Sequence, residues 1–429
     1  MAWNSLVDLA RAARPCRNRS EIVDIIYCWH HTVAKPSTQH RWREVGRGAV
    51  AVGAGWEMAI GGEWAKRAGR LFTASLSDLL PVKRDEPYLS VDIGSSSIKV
   101  LEMRGRPGDL RVTAAAVLPT PASAIQNNMV YETAAVAEAT RALTESHGIR
   151  TRKVITAVPG PAVIIKRVTL PAQSPRELEN TILFEAGNFI PEDLENVNLD
   201  YQVTDYLDDG KRMEVLLVAA KKDIVASYAE TVRAAGLTPV VIDVDYFALE
   251  NMFETNYEPV ADRVTALVNI GARYSSINIL KGGRSTFTGD VPVGGRDISE
   301  ALMRDLNVSA EDAEVLKTGT ASANVSAEQA AAVSSSAAAA LIEEIHHALS
   351  FFWTAATDET IDAVYLSGGV ARMPGLAEQL SERVQAPVEI ANAFAHVTLD
   401  RQIDTPHMRQ QAAEFAVAMG LAIRRPDDK

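Results

Sequence analysis

The sequence predicts an α/β protein of two domains with similar topology, the first carrying a small αβ insert. Three stretches carry that reading. In "SVDIGSSSIKVLEM", residues 90–103, a strand breaks at Gly94 and three serines, then resumes with Lys99 inside the return strand. In "ALVNIGARYSSINIL", residues 266–280, the same design returns: apolar run, Asn, Ile-Gly, small polar turn, second strand. The match is expected to need one extra residue in the second turn. In "IDAVYLSGGVARMPGLAEQL", residues 361–380, an apolar strand ends in Ser367, Gly368 and Gly369, and a helix is expected after Pro374. Singly these are a tight hairpin, its echo and a common strand-to-helix turn.

The elements follow in order. From Tyr88, "YLSVDI", "SIKVLEM" and "DLRVTAAAVLP" read as strands, and "YETAAVAEATRALTESHG" as a helix capped by Gly148. "RKVITAVPG" is the next strand, which makes the opening of a layered α/β domain. Residues 163–241 read as a compact insert. "AVIIKRVTLP", "LDYQVTDYL" and "MEVLLVAAKK" alternate like strands. "SPRELENTILFEAGNFI" starts a helix at Ser174 and Pro175 with an apolar face at Leu178, Ile182 and Phe189, and "IVASYAETVRAAGL" is a helix stopped by Gly236. After the second hairpin come "SEALMRDLN" and "SAEDAEVLKTG" as helices. An Ala/Ser-rich run then leads into the long helix "LIEEIHHALSFFWTAA". His346 and His347 in that helix have no carboxylate or cysteine at ligand spacing, so they read as surface or core residues.

A chain of 429 residues exceeds what one core usually serves. Its net charge of −12 leaves no basic excess for neutralising phosphates and argues against nucleic acid. No run approaches the roughly 18 to 20 apolar residues of a membrane span. Cys16 and Cys28 cannot make a metal cluster alone and suggest no disulfide framework, so a reducing, intracellular setting is expected. The first 80 residues stand apart, with both cysteines, five of the six tryptophans and eleven Lys/Arg against seven Asp/Glu. They are expected to be a poorly ordered extension or translation from too early a start. A basic arm touching a partner or membrane is the functional alternative.

Taken together, the hairpin, its repeat and the strand-Gly-Gly-helix resemble the actin, Hsp70 and sugar-kinase superfamily, whose nucleotide lies between two RNase H-like halves. There is no GxxxxGK[ST], which excludes a P-loop. The resemblance implies ATP and Mg²⁺ as ligands. Asp92 would hold the metal through water; Gly94, Ser95, Ser96 and Ser97 would cradle phosphates, and Lys99 would reach the β-phosphate. Asn269, Gly271 and Ala272 would form the second phosphate loop, with Gly368 and Gly369 as the adenosine wall. Glu314 and Lys317, one helical turn apart in "AEDAEVLK", would meet ribose or adenine; a solvated ion pair is the alternative.

The insert narrows the likeness. "VIIKRVTLP", "ELENTILFEAGNFIPEDLENVNLDYQV", "AAGLTPVVIDVDYFALENMF", "VPVGGRDIS", "LSGGVARMPGL" and "EFAVAMGLAIRR" resemble the PilM family of type IV pilus assembly proteins, from about Tyr88 to Arg425. That implies a cytoplasmic, actin-like, ATP-binding scaffold of the inner-membrane assembly platform, needed for pilus biogenesis and twitching motility. It would capture the cytoplasmic tail of PilN and so meet the membrane only indirectly, with pilus motor ATPases as further partners. Residues 88–162 and 242–260 with the helix at 406–425 would form the first actin-like domain. Residues 163–241 would be the FtsA/PilM-type insert, and 262–400 the second domain.

Two positions qualify the resemblance. The second phosphate loop of relatives usually begins with Asp, and here it is Asn269, which supplies no negative charge for Mg²⁺. Asp245 lies where relatives place a water-orienting Glu or Gln, though an Asp before a helix is equally an N-cap. Slow ATP turnover or none is expected. A small-molecule kinase of the same superfold is one competing reading, since fold alone does not fix function. An FtsA-like membrane-associated filament is another, but it wants an amphipathic C-terminal helix, and "AIRRPDDK" is polar with Pro426 inside it.

Overall fold

The computed structural model describes residues 87–426, apart from 106–107, 322–324 and 356–359. The extension expected over residues 1–80 lies outside the described residues. The fold opens with an antiparallel meander of β1 (Tyr88–Ile93), β2 (Ser97–Arg104) and β3 (Arg111–Pro119). Strand alternation sets the faces: Leu89, Val91 and Ile93 enter one core, and Ser90 and Asp92 lie on the other side. A short hairpin, β4 (Ile125–Gln126) with β5 (Met129–Val130), leads into α1 (Thr133–Ser146). Gly148, at φ +63°, follows that helix as a cap glycine should. β6 (Lys153–Val158) then lies parallel to β1, a pairing that needs a crossover such as α1.

Next comes the compact αβ unit: β7 (Val163–Pro171), α2 (Pro175–Ala186), β8 (Val197–Leu207), β9 (Arg212–Lys221) and α3 (Lys222–Ala234). The three strands form their own antiparallel sheet in the order β7-β9-β8. "MEVLLVAA" is apolar at nearly every position because both faces of β9 are covered. Met213, Val215 and Leu217 pack with Leu178, Ile182 and Ala186 of α2, while Leu216, Val218 and Ala220 join the core of the first sheet. Ser174 and Glu177 close a capping box on α2, with Pro175 at its first position. The apolar face expected at Phe189 is corrected: α2 ends at Ala186, and the turn that follows leaves Phe189 42% exposed and buries Ile190 instead.

The chain returns through β10 (Thr238–Val244), parallel to β6, and α4 (Asp245–Asn256). A second meander follows, β11 (Val264–Ile270), β12 (Ser275–Lys281) and β13 (Arg284–Val291). After α5 (Gly295–Leu306), α6 (Ala310–Lys317) and α7 (Ala327–Ala355) come β14 (Ala363–Ser367), α8 (Leu376–Val384) and β15 (Val388–Ile390). The last pieces are β16 (Thr398–Leu399), α9 (Pro406–Gln410) and α10 (Ala416–Ile423). The Ala/Ser run before the long helix is itself helical, since Ala is the best helix former and Ala330, Ser334 and Ala338 are buried.

The two large sheets repeat one plan. Reading β10-β6-β1-β2-β3 beside β15-β14-β11-β12-β13 matches every strand in order and in sense, with β16 added to the first. α4 is buried on every side from Asp245 to Phe253, as a helix in the middle of a protein must be. α10 crosses it so closely that a Cβ on Gly420 would stand 1.6 Å from the Ala248 carbonyl oxygen. Only glycine permits that crossing. Beside it, Arg424 pairs with Asp243 at 3.3 Å, both only 1% exposed.

Candidate functional site

The β1–β2 turn is closed by Gly94 N–H donating to the Ser97 carbonyl at 3.0 Å. Thr120, just past β3, fastens the turn from outside: its N–H donates to the Ser96 carbonyl at 2.9 Å and its hydroxyl to the Gly94 carbonyl at 2.6 Å. With those carbonyls engaged, the N–H and hydroxyl groups of Ser95 and Ser96 form the outer rim, and Ser96 is exposed. Asp92 and Lys99 are direct partners across the strands, with Nζ 3.4 Å from Oδ2. Nothing in the local sequence marks Thr120, because its contact depends on the register of β3.

The β11–β12 turn is built the same way. Gly271 N–H donates to the Tyr274 carbonyl at 3.1 Å. Both turns place four residues between the last paired positions, Ile93–Ile98 and Ile270–Ser275. The extra residue expected in the second turn is therefore not there; pairing through the ladder aligns Lys99 with Ser276. Here the carbonyls of Gly271 and Ala272 receive the N–H groups of Gly295 and Arg296 at 2.9 and 2.8 Å. The start of α5 thus does what Thr120 does in the first half.

Asn269, at the end of β11, accepts through Oδ1 from Ser367 Oγ at 3.2 Å. Gly368 sits at φ +91°, and a Cβ there would meet the Ile270 carbonyl oxygen at 2.3 Å. Its N–H donates to the Ala413 carbonyl at 2.8 Å. Gly369 has nothing within 4 Å of a built Cβ, so it offers bare backbone to open space. Lys317 reaches this region from α6. It is buried, and its Nζ meets Glu314 Oε1 at 2.8 Å, Ser299 Oγ at 2.9 Å and the Gly295 carbonyl at 3.4 Å. Glu314 and Lys317 are therefore both tied to the start of α5, Lys317 buried and Glu314 with its side chain 57% exposed, so the pair is solvated on one side only.

The two groups meet along the segment 412–415. Ala413 anchors Gly368, and Lys99 acts electrostatically on Glu414, whose carboxyl is raised by burial and lowered by Lys99, Arg372 and His407. Asp245 lies deeper. Its Oδ2 accepts from Tyr274 Oη at 3.0 Å and Ser276 Oγ at 3.4 Å, so it is pinned beneath the second turn. It is the first helical residue of α4 and not its N-cap, which is Val244. Burial pushes its pKa up to about 7; the charge of Asp290 adds to this, and donors from Gly160, Tyr274 and Tyr246 oppose it. Asp290, on β13, is pushed up to about 6 by burial, with a hydrogen bond from Tyr246 opposing. The Tyr228 hydroxyl, buried and influenced by both Asp92 and Asp245, links this acidic group to the first turn.

Two turns of matched backbone, one with serine hydroxyls and a lysine beside it and the other with Arg273, can grip a polyphosphate. Gly368 and Gly369 leave room against which a flat ring can lie. The residues also allow a metal ion on one side: Asp92 supplies a carboxylate shared with Lys99, and Asn269 supplies a neutral amide.

Comparison with known proteins agrees with this architecture. The family model for type IV pilus assembly protein PilM matches residues 90–426. A solved structure described as the PilM-PilN type IV pilus biogenesis complex is 30% identical, with a TM-score of 0.70, covering 80% of this chain and 100% of that one. Ethanolamine utilization protein EutJ from Carboxydothermus hydrogenoformans is 18% identical at a TM-score of 0.48, covering 80% and 90%. MreB5 of Spiroplasma citri bound to ADP is 11% identical at 0.42, covering 79% and 95%. The chain belongs to the PilM family of type IV pilus assembly proteins and has their actin-like ATPase fold.

Proposed function

We propose that this chain is a nucleotide-binding scaffold of the type IV pilus platform that captures the cytoplasmic tail of PilN. The observation that carries the nucleotide part is the pair of matched turns, each closed by a glycine N–H and each with two carbonyls engaged by a neighbouring segment, which would leave the N–H groups of the middle residues for a ligand. Lys99 would meet phosphate charge, Ser95, Ser96, Ser97 and Ala272 would donate to phosphate oxygens, and Gly368–Gly369 would back the adenosine. Lys317, held by Glu314 and Ser299, would border the ribose or adenine. When bound, Mg²⁺ would neutralise phosphate charge, with Asp92 as its nearest carboxylate. Asp245 would act as the water-orienting residue only if freed from Tyr274, and its raised pKa leaves it partly protonated near neutrality. Slow turnover or none follows.

The PilN part is supported by family membership and by the relative solved as a PilM-PilN complex. The peptide would lie between the insert sheet and the first sheet, where Val163 and Ile165 of β7 are only partly covered. No helix among the described residues is long and apolar enough to cross a membrane. Attachment to the inner membrane from the cytoplasmic side would therefore run through PilN, with the motor ATPases as further candidates and twitching as the readout in cells. A pull-down with a PilN-tail peptide, with and without ATP, tests the reading. Capture is expected in both conditions and stronger with ATP; failure to capture in either would remove PilN as the partner.

A further inference from the structure

We infer that the cleft holds its nucleotide with little help from a divalent metal, because Asn269 presents a hydrogen-bond donor where a carboxylate would face the phosphates. The inference rests on the nucleotide reading above and deepens it. Asn269 Oδ1 is already used: it accepts from Ser367 Oγ at 3.2 Å and stands 3.0 Å from a Cβ built on Gly368. Nδ2 makes no hydrogen bond among the described residues, and it is not among their buried, unpartnered atoms. The oxygen and nitrogen of an amide diverge, so fixing the oxygen toward β14 aims the nitrogen away from it. An NH₂ group cannot accept a proton from metal-bound water, but it is a good donor to a phosphate oxygen.

The facing turn points the same way. Asp92 keeps Lys99 at 3.4 Å, so the carboxylate available to a metal is already offset by a resident cation. The position across the ladder from Asn269 is Ser276, which adds no charge. An amide in place of a carboxylate acts on both forms of the ligand. The metal complex loses an attractive charge, and the bare polyphosphate loses a repulsive one. Both changes favour the metal-free nucleotide.

The test is calorimetric titration of the full chain with ATP, once with excess Mg²⁺ and once with EDTA. The expected result is dissociation constants that agree within about threefold. Loss of affinity by about tenfold or more in EDTA would overturn the inference while leaving the nucleotide reading intact. No binding in either buffer would overturn the nucleotide reading, and this inference with it. The parent protein alone decides the matter. Asn269→Asp sharpens it: the variant should bind about tenfold more tightly with Mg²⁺ than with EDTA. Equal binding in the two buffers by a folded variant would count against the role given to Asn269.

Discussion

The two glycine-closed turns share a backbone and differ in charge. Each has four residues between its last paired positions, a glycine N–H closing the turn, and carbonyls engaged from outside. Yet the first carries Asp92 opposite Lys99, and the second carries Asn269 opposite Ser276. The shared part is what an anion needs from any peptide: N–H donors held outward without flexing. The differing part decides what else the anion brings. The first half brings a carboxylate and a lysine to its strand ends, while the second brings an amide and a serine there, with Arg273 in the turn and the glycine wall beside it.

The sharpest way to break this contrast is to remove one polar side chain from each half. Lys99→Ala is expected to weaken ATP binding about 100-fold, roughly 3 kcal/mol, because it removes the cation beside the first turn and leaves the Asp92 carboxylate unopposed. Asn269→Ala should weaken it by less than about tenfold. Titration of both variants checks the pair, and equal losses would mean that the halves share the charge work after all. Gly368→Ala comes next. Its φ of +91° and the 2.3 Å approach to Ile270 leave no room for a Cβ, so a stability loss of about 2–3 kcal/mol is expected in denaturant unfolding. Gly369→Ala, with open space around it, should leave stability unchanged and lower only nucleotide affinity.

Much of this was legible in the sequence where local chemistry decides. Asp92, Asn269 and the Gly368–Gly369 pair stand at strand ends that local patterning marks, and Gly94, Gly271 and Gly368 are glycines because a carbonyl comes close. What depends on register or distant packing was not. The second turn reads one residue too long from the sequence because only strand pairing fixes where a turn ends, and the ladder makes Ser275 the counterpart of Ile98. The environment of Glu314 and Lys317 is set by Ser299 and Gly295, on a different helix. Phe189 carries a good apolar signal, but the helix ends before its face is reached. Thr120, Ser367 and Tyr274 are ordinary residues until the sheets bring them to the turns.

The buried carboxylates tie the second half to pH. The Asp245 carboxyl has its pKa raised to about 7 by burial, above the ordinary 3.8. In the unfolded chain it loses its proton near that ordinary value, while the folded protein keeps it. The stability linked to that proton is thus full below about pH 4 and is lost as pH rises toward 7. Asp290, raised to about 6, works in the same direction. Asp245→Asn should therefore flatten the decline in thermal stability between pH 5 and pH 8, with a gain of about 2 kcal/mol over the parent at the alkaline end. A parent whose stability rises across that range would contradict the burial seen here.

The smallest effect tests the shared backbone itself. Neither Gly94 nor Gly271 has a positive φ, so conformational freedom is not why they are glycines. Each is a glycine because a carbonyl comes close: a Cβ on Gly94 would stand 3.0 Å from the Ser97 oxygen, and one on Gly271 2.8 Å from the Tyr274 oxygen. Alanine at either place forces a small backbone shift, and the reduced entropy of the unfolded chain offsets part of that cost by about 0.4–1 kcal/mol. Net losses of about 1 kcal/mol are expected for both, equal within about 0.5 kcal/mol. Chemical denaturation without ligand isolates this term from nucleotide binding. A much larger loss at one glycine than at the other would show that the turns share hydrogen bonds but not rigidity, and the difference between the halves would then lie in the backbone as well as in the charges.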